Sequence, residues 1–369
     1  MRVRLGDYIK EYSVKNKNNE DIPVYSVSNS LGFCKDYFGK EVASKNKTTY
    51  KIVPRGCFAY NPSRINVGSV DWQNEEERVI VSPLYNVFSV SPLLDQQYLL
   101  YYLKSNVTLS RIRAVASGSV RDNLKLSMLY EFPIDLISLD KQYDVVSTLN
   151  AVQKIIDLYQ KGLSYLDELV RARFVEMFGD ENNSKGWEIV NIEDVANVQV
   201  GVVIKPSQYY TNQDNGIKAF RSLNIGNGYI KDDDWVYFSK EGNKKNKKSI
   251  LSTNDVLVVR SGAPGTACVV TSEYAGSNAI DVIIAHPDFQ KVDSHYLCTY
   301  TNMPHGKSQI IEGTGGAAQQ HFNVGKYNKL KLMLPPLEYQ KQYVKFLEEI
   351  DKSRLLSNHS LYLIKSINF

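Results

Sequence analysis

The sequence predicts an α+β protein: two pseudo-repeated modules separated by two long helices that pack as an antiparallel coiled coil. Three observations predict it. At 369 residues the chain is too long for one ordinary domain. It carries an internal repeat. Each repeat ends in a helical pattern too long for one small module to cover.

The repeat is read directly from the residues. Ile137-Ser138-Leu139-Asp140-Lys141-Gln142 aligns with Pro335-Pro336-Leu337-Glu338-Tyr339-Gln340, 198 residues further on. The same offset places Tyr98-Leu99 on Tyr296-Leu297, Gly118 on Gly316, Val146 and Leu149 on Val344 and Leu347, and Leu163 and Leu166 on Leu361 and Ile364. Near the starts of the repeats the offset is 187, aligning Val3-Arg4-Leu5-Gly6-Asp7 with Val190-Asn191-Ile192-Glu193-Asp194. Insertions account for the change. The competing explanation, coincidence of apolar patterns, must hold one offset from Tyr98 to Leu166.

Within each repeat a mixed segment precedes the helix. Tyr50–Asn61 reads as turn, strand and loop, with Ile250–Gly262 as its counterpart. Val256–Val259 is a short buried-strand run between turn signals. Gln96–Leu103 and Ser294–Thr301 read as short helices. In the central helix Val146, Leu149, Val152, Ile156, Tyr159, Leu163, Leu166 and Val170 recur at intervals of three and four, close to a heptad stripe. Leu139–Phe178 contains no proline and one interior glycine, Gly162. Such a helix would be ~60 Å long at ~1.5 Å per residue. Gly179–Ser184 is a stop and linker. The second helix is expected over Leu337–Ile367, with the stripe Val344, Leu347, Ile350, Arg354, Ser357, Leu361 and Ile364. Arg354 and Ser357 interrupt it, and Leu355 and Leu356 are expected to take over by a local shift of face. The expected organisation is a first module at 1–138, a spacer at 139–180, a second module at 181–334 and a spacer at 335–369. The alternative is that each helix packs only on its own module.

Composition narrows the function classes. The chain is 43% hydrophobic and 23% charged, ordinary for a soluble folded protein. No apolar run approaches ~18 residues, so no membrane span is expected. The opening MRVRLGDYIK lacks an apolar signal core, so export is not expected. Cys34, Cys57, Cys268 and Cys298 show no CxxC spacing, which argues against a disulfide scaffold or a zinc ribbon and fits a reducing cytoplasm. Net charge is +4. Residues 1–187 hold 24 Lys and Arg against 22 Asp and Glu, and residues 188–369 hold 20 against 18, so any polyanion site must come from local clustering. The 25 tyrosines suit surface recognition.

At the module–spacer junctions, Phe132-Pro133-Ile134 through Leu139-Asp140-Lys141-Gln142, and Leu334-Pro335-Pro336-Leu337-Glu338-Tyr339-Gln340, the chain resembles the specificity subunits of type I restriction–modification systems. Leu166–Asp180 resembles the end of that family's central spacer, and Asn254–Gly262 resembles a strand-and-loop unit of its target-recognition domains. The likeness runs over essentially the whole chain, and the order of the motifs, met twice, is its specific part. The resemblance implies a non-catalytic subunit that binds double-stranded DNA at a bipartite asymmetric site. It implies docking of two methyltransferase (modification) subunits that bind S-adenosylmethionine and methylate adenine, and of restriction motor-nuclease subunits. It implies no cofactor in this chain and a cytoplasmic location. A rival from another class is a non-catalytic two-module scaffold that binds proteins.

Base reading needs side chains with paired donors and acceptors, and phosphate contact needs cations, hydroxyls and amides. In the first module the candidates are Asn61, Ser63, Arg64 and Asn66, then Ser117, Ser119, Arg121 and Asn123 in the loop before the spacer. In the second they are Arg260, Ser261 and Thr266, then Thr314, Gln319, Gln320 and His321 in a Gly-rich stretch. An ordinary Gly-rich turn is the alternative. Lys244, Lys245, Lys247 and Lys248 form a basic run, expected on a loop, which either follows phosphates or is a solvated face. Lys45 and Lys47 share a polar turn, and Arg111 and Arg113 fit a helix surface equally well.

Several catalytic patterns fail. Gly306-Lys307-Ser308 resembles the end of a phosphate loop, but Thr301 stands where the opening glycine belongs. Pro335-Pro336 follows Leu334 and precedes Leu337, where an amino-methyltransferase motif needs Asp or Asn before and an aromatic after. Pro287-Asp288 has no Glu-x-Lys partner at useful spacing. His295, Cys298 and His305 are too irregular for zinc, and a core or surface role is favoured.

Overall fold

The computed structural model describes residues 1–35, 46–116, 123–314 and 322–366. The chain divides into two compact units, Met1–Tyr159 with Ser360–Phe369, and Gln160–His359. The division runs through both long helices.

In the first unit strand Arg2–Arg4 pairs antiparallel with Pro133–Asp135, Val3 opposite Ile134. A four-stranded antiparallel sheet has the order Ile9–Glu11, Asn86–Val90, Phe58–Tyr60, Val70–Trp72. Side chains alternate across it as the period of two requires. Phe58, Tyr60 and Phe88 face a core shared with Leu99, Leu103, Ile112 and Leu129 of the helices Gln96–Lys104, Asn106–Ala116 and Leu126–Tyr130. Ala59 and Val87 face an outer core with Tyr25, Val53, Val79 and Val81.

The second unit repeats this frame. Glu188–Asn191 pairs with Lys331–Leu334, Val190 opposite Leu332. The two offsets of the sequence therefore meet in one ladder: Val3 and Val190 are 187 residues apart, Ile134 and Leu332 198 apart. The sheet order is Ala196–Val200, Val282–Pro287, Val256–Val259, Ala267–Val269. Val256 and Val258 face the helices while Leu257 and Val259 face an outer core, so the buried apolar run is a strand covered on both faces. The helices Ser294–Asn302, Pro304–Thr314 and Val324–Asn328 begin and end 198 residues after their counterparts.

The outer layers differ. The first unit has two ladders, Lys51–Pro54 with Arg78–Val81 and Ser26–Ser28 with Gly32–Cys34. The second has a mixed sheet ordered Tyr210–Thr211, Val236–Ser239, Gly216–Phe220, Asn278–Ala279, the last pair parallel. One expectation is corrected here. Tyr50–Asn61 holds two strands, because the turn closed by Cys57 N–H on the Pro54 carbonyl sends the chain from the outer ladder into the central sheet.

The central helix is Leu139–Phe178 and the C-terminal helix Leu337–Ser366. In the first unit Val146, Leu149, Val152, Ile156 and Tyr159 are half-buried, and so is Ile364, with Leu361 buried. In the second, Phe174 and Phe178 enter the core, stacked on or edged against Tyr296 and Tyr343. Each such ring contributes roughly 1.5–3 kcal/mol by burial. Tyr343 Oη donates to the Val170 carbonyl at 3.2 Å and Arg354 reaches Asp167 at 2.5 Å. The expected shift of face does not occur: Leu355 and Leu356 are 71% and 69% exposed. Arg354 stays on the stripe instead, its stem half-buried and its guanidinium turned to Asp167.

Candidate nucleic-acid interface

The first unit gathers several predicted residues around the end of strand Phe58–Tyr60. Asn61 turns the chain: its Oδ1 accepts from the Ser63 amide at 3.1 Å, and its carbonyl accepts from the Arg64 and Ile65 amides. Ser63 Oγ donates to Asn123 Oδ1 at 2.6 Å, tying this loop to the segment before helix Leu126–Tyr130. Below them the buried Tyr60 hydroxyl donates to the Leu124 carbonyl at 3.0 Å, and burial pushes that phenol above its ordinary range. Arg113 Nε donates to the Asn66 carbonyl at 3.2 Å, so Arg113 braces the loop from its helix. Arg111 lies over the Phe132 ring. Asn61, Ser63, Arg64, Asn66 and Asn123 thus form one surface, with Ser63 and Arg64 exposed. Ser117, Ser119 and Arg121 lie outside the described residues, as does Lys45. Lys47 lies 3.8 Å from Asp21.

In the second unit Arg260 follows strand Val256–Val259, but its guanidinium is engaged. Nη1 pairs with Asp281 at 2.6 Å, Nε donates to the Phe322 carbonyl at 3.1 Å, and its side chain is 15% exposed. That geometry holds loops together. Ser261 and Thr266 line a cleft of about 450 Å³ whose other wall is the segment Ser222–Lys231, with Leu223, Asn227 and Tyr229 at the surface. This segment was not singled out from sequence; its Gly226-Asn227-Gly228 signal is the one that could have found it. Thr314 ends helix Pro304–Thr314, while Gln319, Gln320 and His321 lie outside the described residues.

The lysine run is helical rather than a loop. Lys240–Lys245 is a short helix, capped by Ser239 Oγ on the Gly242 amide, and Lys247–Ser249 is a 3₁₀ turn. Lys244, Lys245, Lys247 and Lys248 are all exposed, with Lys245 paired to Glu241 at 2.9 Å. Behind them, Gln199 Nε2 donates to the Lys248 carbonyl and meets His286 Nε2 at 2.7 Å, and His286 Nδ1 meets the buried Asp255 at 2.6 Å. This polar chain fixes the basic turn on the sheet.

The rejected chemistries have structural counterparts. Gly306-Lys307-Ser308 lies inside a helix. His305 is buried, its Nε2 on the Gly179 carbonyl and its ring against Phe174. Cys298 is buried beside Asn302, and burial pushes its thiol up to about 12. No group of three His, Cys, Asp or Glu able to hold a metal occurs among the described residues. No described helix is long and apolar enough to cross a membrane.

A duplicated α+β frame with divergent outer layers defines a two-module protein. Comparison with known proteins narrows the class. The family described as the type I restriction modification DNA specificity domain matches twice, over residues 4–166 and 184–365. The chain is 21% identical to the type I restriction enzyme MjaVIII specificity subunit of Methanocaldococcus jannaschii, over 95% of this chain and 85% of that protein. It is 21% identical to the EcoBI specificity subunit of Escherichia coli over 44% of this chain and 35% of that one. Among solved structures, the S subunit of a type I system from M. genitalium covers 100% of this chain and 93% of its own at TM-score 0.54 and 13% identity. A chain from a structure of type I system assembly and conformational transition covers 100% and 95% at TM-score 0.63 and 14% identity. The chain belongs to the type I restriction–modification specificity-subunit family, the DNA-recognition components of those systems.

Proposed function

We propose that this chain recognises a bipartite, asymmetric sequence in double-stranded DNA, one part through each module, and directs a multisubunit adenine methyltransferase to it. The observation that carries this reading is the contrast between layers: a frame with the same sheet order and helices at one constant spacing, and outer strands that differ in pairing and order. A shared frame with two different outer faces suits reading two different base tracts. The modules at 1–138 and 181–334 would do the reading. The spacers at 139–180 and 335–369, packed as an antiparallel coiled coil, would set the gap. Exposed apolar residues such as Leu158, Leu169, Leu355 and Leu356 offer docking area to two modification subunits, which would carry S-adenosylmethionine, and to restriction motor-nuclease subunits. This chain contributes recognition and no chemistry of its own.

The test is the chain assembled with its methyltransferase subunits on a randomised DNA library, with methylated adenines mapped. A split motif is expected, and binding should weaken steeply with salt as phosphate contacts release counterions. Equal methylation of all sequences overturns the reading. Salt-insensitive binding to protein partners with none to DNA favours the scaffold.

A further inference from the structure

Both units carry a hairpin in the stretch between the first and second central-sheet strands met along the chain. In the first, Ser26–Ser28 pairs with Gly32–Cys34 around the tip Asn29-Ser30-Leu31. In the second, Ile225 bridges Ile230 around the tip Gly226-Asn227-Gly228-Tyr229. Each tip carries one asparagine and one large side chain, Asn29 with Leu31 and Asn227 with Tyr229.

Each hairpin is clipped to the equivalent edge strand. The Phe33 amide donates to Asp71 Oδ2 at 3.0 Å, on strand Val70–Trp72. The Gly228 amide donates to the Ala267 carbonyl at 2.9 Å, on strand Ala267–Val269. The bases of the hairpins are buried, Val27 and Phe33 in one outer core and Ile225 in the other. Both turns need glycine: Gly32 has φ +63°, with a Cβ there colliding with Asp71, and Gly228 has φ +84°. The tips, in contrast, are held out. Asn29 and Asn227 are exposed, Leu31 is 68% exposed and Tyr229 57% exposed. A leucine and a tyrosine thus stand out on stapled hairpins, and Tyr229 and Asn227 share a cleft with Ser261 and Thr266.

We propose that these hairpins are the base-reading elements of the two modules, with Asn29 and Leu31 specifying one half-site and Asn227 and Tyr229 the other. An asparagine amide presents a donor and an acceptor that match the adenine edge, and an apolar side chain packs on the thymine methyl. The proposal rests on the DNA-recognition reading above.

The experiment uses the chain assembled with its methyltransferase subunits, and reads the methylated motif from a randomised library. Asn29→Ala and Leu31→Ala should relax one half-site only, and Asn227→Ala and Tyr229→Ala only the other. Discrimination at the affected base pairs should fall about tenfold. The unaffected half-site, read by the same molecules, reports that the fold is intact, and the near-isosteric Asn29→Asp and Asn227→Asp should give the same half-site pattern. Four variants keeping the wild-type motif within twofold would overturn the proposal, as would a uniform loss of methylation with both half-sites still equally preferred. A wild-type complex with no split motif would instead sink the DNA-recognition reading beneath it.

Discussion

The inner frames of the two units keep one residue spacing through three helices, whereas the sheets of their outer layers differ in strand number and order. The difference shows what holds a repeat when identity is weak. Gln142 and Gln340 are both fully buried. Gln142 Nε2 donates to the Leu93 and Ile137 carbonyls while its Oε1 accepts from the Asp95 amide. Gln340 does the same with Lys291, Pro335 and Asp293, each partner 198 residues on. All six partners are main-chain groups, so neighbouring side chains can change without breaking the network. Asp95 and Asp293 then cap the following helices.

The largest expected effect follows from that pair. Gln142→Ala and Gln340→Ala each orphan two carbonyls and an amide around a side chain that is fully buried. Each should lower the stability of its own unit by about 3 kcal/mol, read from urea unfolding followed unit by unit. A loss below about 1 kcal/mol in either would break the equivalence of the two frames.

A smaller effect sharpens it. Tyr98 donates to the Asp135 carbonyl at 3.0 Å in an exposed setting, and Tyr296 to the Met333 carbonyl at 2.7 Å in a buried one. The contact is the same but its surroundings are not. Tyr296→Phe should cost about 1–2 kcal/mol and Tyr98→Phe under about 0.5 kcal/mol, since water serves the freed carbonyl only in the first unit. Equal costs in thermal melts would show that burial does not separate the two.

The frame was legible because its constraints are local and periodic. The heptad spacing from Val146 to Val170, the motif around Gln142 and Gln340, and the run Val256–Val259 each state a burial pattern in consecutive residues. The outer strands were not legible, because short ladders such as Lys51–Pro54 with Arg78–Val81 are set by distant partners rather than by their own sequence. The candidate interface was half legible. Composition picked out Arg260, but Asp281, which comes from 21 residues away, takes its guanidinium. The hairpin at Asn227 is not legible because its flanks, a single bridge between Ile225 and Ile230, are too short to read as strands.

Arg354 gives the smallest effect and settles which face of the C-terminal helix is inner. Shifting the stripe to Leu355 and Leu356 would rotate the helix by roughly 100–200° at 3.6 residues per turn, taking Ile350 and Leu361 out of their buried positions. Keeping one polar residue on the stripe is the cheaper solution when its head can reach Asp167. That pair is solvent-accessible on both sides, 29% and 63%, so Arg354→Ala should cost only about 0.5 kcal/mol, fading with added salt. Leu355→Ala and Leu356→Ala should each change stability by less than about 0.5 kcal/mol in urea unfolding. A cost above about 1.5 kcal/mol for either leucine would put it in an apolar interior and reassign the face. Arg354→Leu separates the two arrangements again: on the inner face the new side chain continues the stripe and stabilises the helix pair, whereas on an outer face it leaves stability unchanged and adds only exposed apolar surface.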